Sequence, residues 1–218
     1  MGWGEGVGCI VLKRKSDAEK DKDNIYANII SCSENHGGKS HSLTAPNPEA
    51  QKALLLKAYK DVELARRISY IEAHGTGTKL GDPIEIDALK MAWKEMGVWN
   101  NKAYIGLGSV KTHIGHLEPA AGIASILKVL LAMQHRILPG NLHFNKLNPY
   151  IDIKDSPFYI VSKNQEWRSD EPLVSGISSF GFGGSNTHIV LEEAERRQRD
   201  NNIQDKFFTG VSESLCKL

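Results

Sequence analysis

Two imidazoles define the chemistry to consider first. His74 opens the run His74-Gly75-Thr76-Gly77-Thr78, and His116 closes Lys111-Thr112-His113-Ile114-Gly115-His116. Each run follows a short apolar stretch and precedes a segment opened by a proline, Pro83 or Pro119. Imidazole is the side chain whose ordinary charge change falls near neutral pH. It can therefore act as an acid or base, or donate a neutral N–H to an oxygen that gains charge. The glycines allow tight turns and close approach of a ligand, while Thr76 and Thr78 add hydroxyl donors. A single histidine is most often a packed structural residue. Two at equivalent strand-to-helix positions weaken that reading.

The surrounding elements must bring the two runs together. Val7 to Lys13 and Ile25 to Ile30 read as strands, separated by a charged turn. Ser31 to Pro48 reads as a loop whose His36, Gly37 and Gly38 bend close to a ligand. Pro48 suits the first turn of a helix that continues through Leu54, Leu56 and Ala58. Ile68 to Ala73 is a strand ending at His74, and Asp82 with Pro83 reads as N-cap and first residue of a helix to about Met96. Ala103 to Val110 is a strand of small residues, covered on both faces, and Pro119 opens an apolar helix to about His135. Phe158 to Val161, Leu173 to Ser178 and Thr187 to Leu191 read as later strands, with Phe180-Gly181-Phe182-Gly183-Gly184 between the last two. The alternation predicts an α/β layered fold around one sheet. Ligands in such sheets bind outside the carboxyl ends of the strands, where both histidine runs project.

Whole-chain properties narrow the function classes. The 218 residues carry a formal charge of +1, which gives no global attraction to nucleic acid or an anionic membrane. Ile123 to Ile137 is the longest apolar helix candidate, yet Ser125, Lys128 and Gln134 to Arg136 interrupt it, and it is too short to span a bilayer. The three cysteines, Cys9, Cys32 and Cys216, are irregularly spaced and fit a reducing compartment. With no secretion-type leader in view, a cytoplasmic location is expected. Gly38-Lys39-Ser40 resembles the end of a phosphate loop, but Ser33 stands where its first glycine belongs. Cys32, His36 and His41 lack a partner pair of metal-ligand spacing, so no metal and no bound cofactor are expected. His188 sits in an alternating strand and reads as packed.

Longer stretches carry a resemblance. Glu72-Ala73-His74 through Asp82-Pro83-Ile84-Glu85 is similar to the first histidine motif of ketosynthases, and Ser109-Val110-Lys111 through His116 to Gly122 is similar to their second. Gly176 to His188 resembles their C-terminal glycine loop. Gly4-Glu5-Gly6-Val7-Gly8, Asn35-His36-Gly37-Gly38 and Leu43-Thr44-Ala45-Pro46 extend the match over roughly Gly4 to Glu193. Leu142 to Tyr150, Pro157 to Ile160 and Ser125, where dissociated fatty-acid enzymes often have glutamate, resemble modular polyketide synthases, especially those served by separate acyltransferases. His113 departs from the asparagine common in the family.

The resemblance implies a thiolase-like αβαβα fold, of which this chain is the C-terminal half, a mixed sheet with helices on both faces. Residues 1–13 would be the last strand of the N-terminal half, 14–193 the C-terminal half and 194–218 a polar tail. It implies decarboxylative Claisen condensation between an acyl thioester on a cysteine and a malonyl thioester on an acyl carrier protein. His74 and His116 would bind the thioester carbonyl, Lys111 would be a buried lysine and Glu85 its charge partner. The helix dipole beyond Pro119 would disfavour the His116 imidazolium. Phe182 would gate acyl entry between Gly181 and Gly183, while Thr76 and Thr78 would contact the phosphopantetheine arm or the malonyl carboxylate, or cap the following loop. None of the three cysteines has the setting of the nucleophile, so that group is expected from an N-terminal half, itself a partner together with the carrier protein. Homodimerisation of this half stays open. The alternative expectation is a silent remnant or a carrier-binding module.

Overall fold

The computed structural model describes residues 2–38 and 46–195. In order, the elements are α1 (Lys15–Lys20), β1 (Ala27–His36), α2 (Pro48–Ala58), α3 (Val62–Arg67), β2 (Ile68–Glu72), α4 (Gly81–Glu95), β3 (Ile105–Gly108), α5 (Lys111–Ile114), α6 (Ala121–His135), β4 (Ile137–Leu138), β5 (Phe158–Ile160), β6 (Gln165–Glu166), β7 (Val174–Phe180) and β8 (Ser185–Glu193). Six strands form one sheet in the order β1-β8-β7-β2-β3-β5, and β4 pairs with β6 in a small separate ribbon. The β7-β2-β3-β5 portion is parallel, while β8 runs antiparallel to both β1 and β7.

Two apolar layers cover this mixed sheet. On one face Leu55, Ala58, Ile86, Leu89 and Trp93 of α2 and α4 pack with Ile71, Leu107, Phe158 and Val190. On the other, Val129, Ala132 and Met133 of α6 pack with Tyr70, Trp167, Ile177 and Leu191. Helices on both faces bury the parallel strands, so β3 is buried at every position, as its small residues predict. Gly106 and Gly108 are small for a further reason, since a Cβ on Gly108 would lie 2.2 Å from the Tyr70 hydroxyl.

Local signals explain most of the element ends. The Asn47 side chain accepts from the amides of Glu49 and Ala50, and Pro48 takes the first turn of α2. Asp61 caps α3 in the same way through Glu63 N–H.

Three expectations are corrected. Val7 to Lys13 is not a strand: it joins no described strand, and Val7 and Val11 stay 97% and 93% exposed. The run begins instead against α6, where a Cβ on Gly8 would come within about 3 Å of Ile123 and Leu127. Ser31 to His36 is not a loop but the continuation of β1, paired as far as Ser185 on β8, so Cys32 lies mid-strand. The Ser and Asn side chains there are satisfied by α2 carbonyls: Ser31, Ser33 and Asn35 donate to Ala58, Leu54 and Ala50. Asp82 is not the N-cap of α4, which begins one residue earlier, because its carboxylate accepts from Gly77 N–H instead.

His188 is packed, as its alternating strand predicts. Fully buried, it shares hydrogen bonds with the Tyr59 hydroxyl at 2.8 Å and the Ser178 hydroxyl at 3.0 Å. Burial drives its pKa down to about 3. Replacing His188 with Ala would leave both buried hydroxyls short of a partner. The expected loss is about 1–3 kcal/mol, read as a lowered urea midpoint with an unchanged m-value.

Candidate active site

His74 leaves the carboxyl end of β2 and His116 follows α5, which itself follows β3, so neighbouring parallel strands deliver both. Their ring centroids lie 5.4 Å apart with planes at 81°. Gly75 has φ +46°, and a Cβ there would come within 2.9 Å of Ser109. Glycine thus allows the first loop to fold onto the second, where Ser109 Oγ donates to the Gly75 carbonyl.

Backbone amides occupy one nitrogen of each ring. Phe180 N–H donates to His74 Nδ1 at 3.3 Å, and Glu118 N–H donates to His116 Nδ1 at 2.8 Å. An amide only donates, so each Nδ1 must be an acceptor and each neutral ring carries its proton on Nε2. Burial, then the charge of Lys111 and the neighbouring His116, lowers the pKa of His74 to about 3. His116 is lowered chiefly by burial and then by Lys111, against Glu118. A helix dipole is not needed to explain it, since Pro119 lies in a short 3-10 turn before α6 begins at Ala121.

Glu85 is the strongest charge acting on Lys111, though no direct salt bridge joins the two among the described residues. Glu85, 5% exposed on α4, instead accepts from the amides of His74 at 2.8 Å and Gly75 at 2.9 Å, one on each oxygen. Burial raises its pKa to about 7 despite those two donors. Lys111 is half-buried in the first turn of α5. Its pKa is lowered by burial, against the pull of Glu85, Glu72 and Asp82. The close buried pair is one that sequence reasoning missed: Lys128 Nζ lies 2.8 Å from Glu72 Oε2. The signal for it is a lysine at the third turn of a largely apolar helix, among the residues that pack beneath the sheet.

The other candidates lie around this centre. Thr76 and Thr78 share a hydrogen bond of 3.1 Å, and Thr78 Oγ1 also accepts from Gly81 N–H. Thr78 therefore has a local capping contact. The glycine loop is held at its base. Its Phe180 ring lies 5.4 Å from His74, and the Gly183 and Gly184 carbonyls accept from His36 Nε2–H and Gly37 N–H. Between them Phe182 projects 77% exposed, flanked by the exposed Gly181 and Gly183. His36, expected in a loop near a ligand, instead ends β1 and holds the glycine loop. His113 is exposed, and its Nδ1 meets the Thr112 hydroxyl at 3.0 Å. Cys32 and Cys9 are both exposed, and no thiol is among the hydrogen-bond partners described for the two imidazoles. Cys216 and His41 lie outside the described residues, as do Lys39 and Ser40.

A strand-borne pair of neutral imidazoles beside a glycine loop is the frame against which known proteins compare. Residues 26–145 match the family described as beta-ketoacyl synthase, C-terminal domain, and residues 148–214 match the ketoacyl-synthetase C-terminal extension. This chain belongs to the beta-ketoacyl synthase family. Within it, the chain is the C-terminal half of a polyketide synthase ketosynthase with the thiolase-like α/β fold. It is 46% identical over 212 residues to polyketide synthase PksN of Bacillus subtilis, covering 92% of this chain and 4% of that protein. It is 45% identical over 201 residues to polyketide synthase PksL of the same organism, covering 87% of this chain and 4% of the relative.

Solved structures agree. The ketosynthase from module 6 of the bacillaene synthase of Bacillus subtilis superposes with a TM-score of 0.80 at 40% identity, over 84% of this chain and 33% of that one. The oxazolomycin ketosynthase domain OzmH KS7 of Streptomyces albus gives 0.80 at 42% identity, over 86% and 34%. The chain thus spans about a third of the ketosynthases it superposes on and a small fraction of the curated synthases. Among the described residues, no helix is long and apolar enough to cross a membrane.

Two measurements probe the site. By NMR, the His74 ring is expected to remain neutral as the pH falls well below 6, whereas an ordinary histidine half-charges near about 6.5. Because its folded pKa is depressed, the stability tied to neutral His74 is present above about 6.5 and lost as pH falls toward the folded value. A ring titrating near the ordinary value contradicts the burial described above. Separately, Glu85→Gln replaces one acceptor with a donor facing an amide. It is expected to cost about 1–3 kcal/mol in denaturation and to speed amide exchange at His74 and Gly75.

Proposed function

We propose that this chain supplies the two-histidine part of a decarboxylative condensation site. The observation that carries the reading is the pair of rings 5.4 Å apart, each with Nδ1 taken by a backbone amide and Nε2–H left to donate. Both Nε2–H groups would donate to the carbonyl oxygen of a malonyl thioester. The bond to the carboxylate breaks, carbon dioxide leaves, and the electron pair remains as an enolate whose charge collects on that oxygen. Fixed donors stabilise such charge more than water does. The α-carbon then attacks the acyl thioester carbonyl, forming the new carbon–carbon bond and releasing the cysteine thiolate.

The depressed pKa values serve that chemistry. Imidazoles that resist protonation donate hydrogen bonds to the enolate without carrying an extra proton to quench its carbon. The Lys111 charge favours the developing oxyanion and opposes imidazolium formation.

The remaining roles follow from family resemblance and position. Phe182, between Gly181 and Gly183, would gate acyl entry, its exposed ring anchored only at the loop base. Thr76 and Thr78 would face the phosphopantetheine arm of an acyl carrier protein. The cysteine comes from an N-terminal ketosynthase part, and the other partners are the rest of a modular synthase. The Asn148-Pro149-Tyr150 and Ser156-Pro157-Phe158-Tyr159 wording supports a synthase served by separate acyltransferases.

Co-production with a cysteine-bearing N-terminal ketosynthase part tests this reading. Acyl loading of the assembly and carbon dioxide release from malonyl carrier protein are expected. His74→Ala and His116→Ala should each cut condensation about 10²–10³-fold while leaving acyl loading in place. No assembly and no loading would remove the proposal. Carrier binding with no condensation would identify a binding module instead.

A further inference from the structure

Lys128 is an unfavourable residue for its position. It projects from α6, whose neighbours Ile126, Val129, Leu130, Ala132 and Met133 belong to the apolar layer beneath the sheet. Its side chain is 9% exposed and that of Glu72 is wholly buried. A buried cation is costly unless it is well paired, and a methionine of similar length would fill the space without that penalty. The charge therefore does something an apolar side chain could not.

The hydrogen bonds identify the effect. Lys128 Nζ donates to Glu72 Oε2 at 2.8 Å and to the Tyr70 hydroxyl at 2.9 Å. The same hydroxyl donates to Glu72 Oε2 at 2.7 Å. One oxygen of Glu72 is thus fully engaged by the Lys128–Tyr70 pair. The other, Oε1, accepts Val110 N–H at 2.5 Å. Glu72 lies two residues before His74 on β2, and Val110 immediately precedes Lys111 at the start of the His116 run. One carboxylate joins the two histidine-bearing segments, and its orientation is set by Lys128.

We infer that Lys128 is a positioning residue for the two-histidine site, fixing the spacing of the His74 and His116 segments through Glu72. Two hydrogen bonds, Lys128 to Glu72 and Val110 N–H to Glu72, link it to both segments. Lys128 also acts through its charge: burial lowers Lys111 and His113, and the Lys128 ammonium adds to both. The catalytic consequence rests on the proposed condensation chemistry, whereas the bracing of the two segments does not.

The test uses the ketosynthase assembled from this chain and its cysteine-bearing part. Lys128→Met is expected to lower kcat for carbon dioxide release from malonyl carrier protein about 10- to 100-fold, the scale of a misplaced reacting geometry, with KM little changed. Amide exchange should rise within residues 109–116 and stay constant in β7 and β8. Lys128→Arg, which keeps the charge, should recover most of the rate. Unchanged kcat and unchanged exchange in 109–116 would overturn the inference, as would exchange raised equally throughout the sheet. If Lys128→Met does not fold, Tyr70→Phe takes its place: it removes only the bridging hydroxyl and should show the same local exchange with a smaller rate loss, and no change in either would be fatal. A wild-type assembly that releases no carbon dioxide would remove the condensation reading, and the exchange comparison would still decide whether Lys128 braces the two segments.

Discussion

A carboxylate taken out of water must find donors within the protein, and that requirement organises the centre of this molecule. Glu72 and Glu85 are both buried, and both take donors from the backbone of the segments carrying the histidines. Both carboxylates thus clasp loop amides, and Glu72 does so while paired with the Lys128 ammonium. Glu85 holds the first loop against α4, and Glu72 holds the second against β2. Loops that would otherwise be free to wander are fixed by groups whose own burial depends on holding them.

The electrostatic consequence is a site poised toward neutral rings. Lys111 stands among Glu85, Glu72 and Asp82 yet touches none as an ion pair, so its charge is felt by the imidazoles instead of being cancelled at contact. Burial does most of the lowering at His74, and the lysine adds to it. Asp82 is raised by burial while amides from Gly77, Thr78 and Thr76 oppose the rise, so the loop backbone is again the compensating donor.

Much of this was legible in the residues. The strand-to-helix setting of His74 and His116 located the site, because glycine, histidine and a following proline are local signals that survive folding. Small residues at Gly106 and Gly108 marked a strand covered on both faces. What could not be read locally was anything that depended on a distant partner. Val7 to Lys13 has strand composition but pairs with no described strand, while Ser31 to His36 has loop composition and becomes a strand because α2 carbonyls and β8 receive it. The two amides held by Glu85 were hidden for the same reason: spacing along the chain did not reveal that the backbone of His74 and Gly75 would reach its carboxylate. Lys128 looked like an interruption of an apolar helix, and its partner lay 56 residues upstream at Glu72.

The amide of Phe180 that sets the His74 tautomer comes from a residue 106 positions later in the chain. During synthesis at roughly 5–20 residues per second, β2 and His74 are made about 5–20 s before that amide. Throughout that interval β7 has not yet filled its place in the sheet beside β2, and the imidazole is free to rotate and to exchange its proton between nitrogens. The oriented donor is thus absent from the nascent chain and arises only when β7 has been made and joins β2 in the sheet.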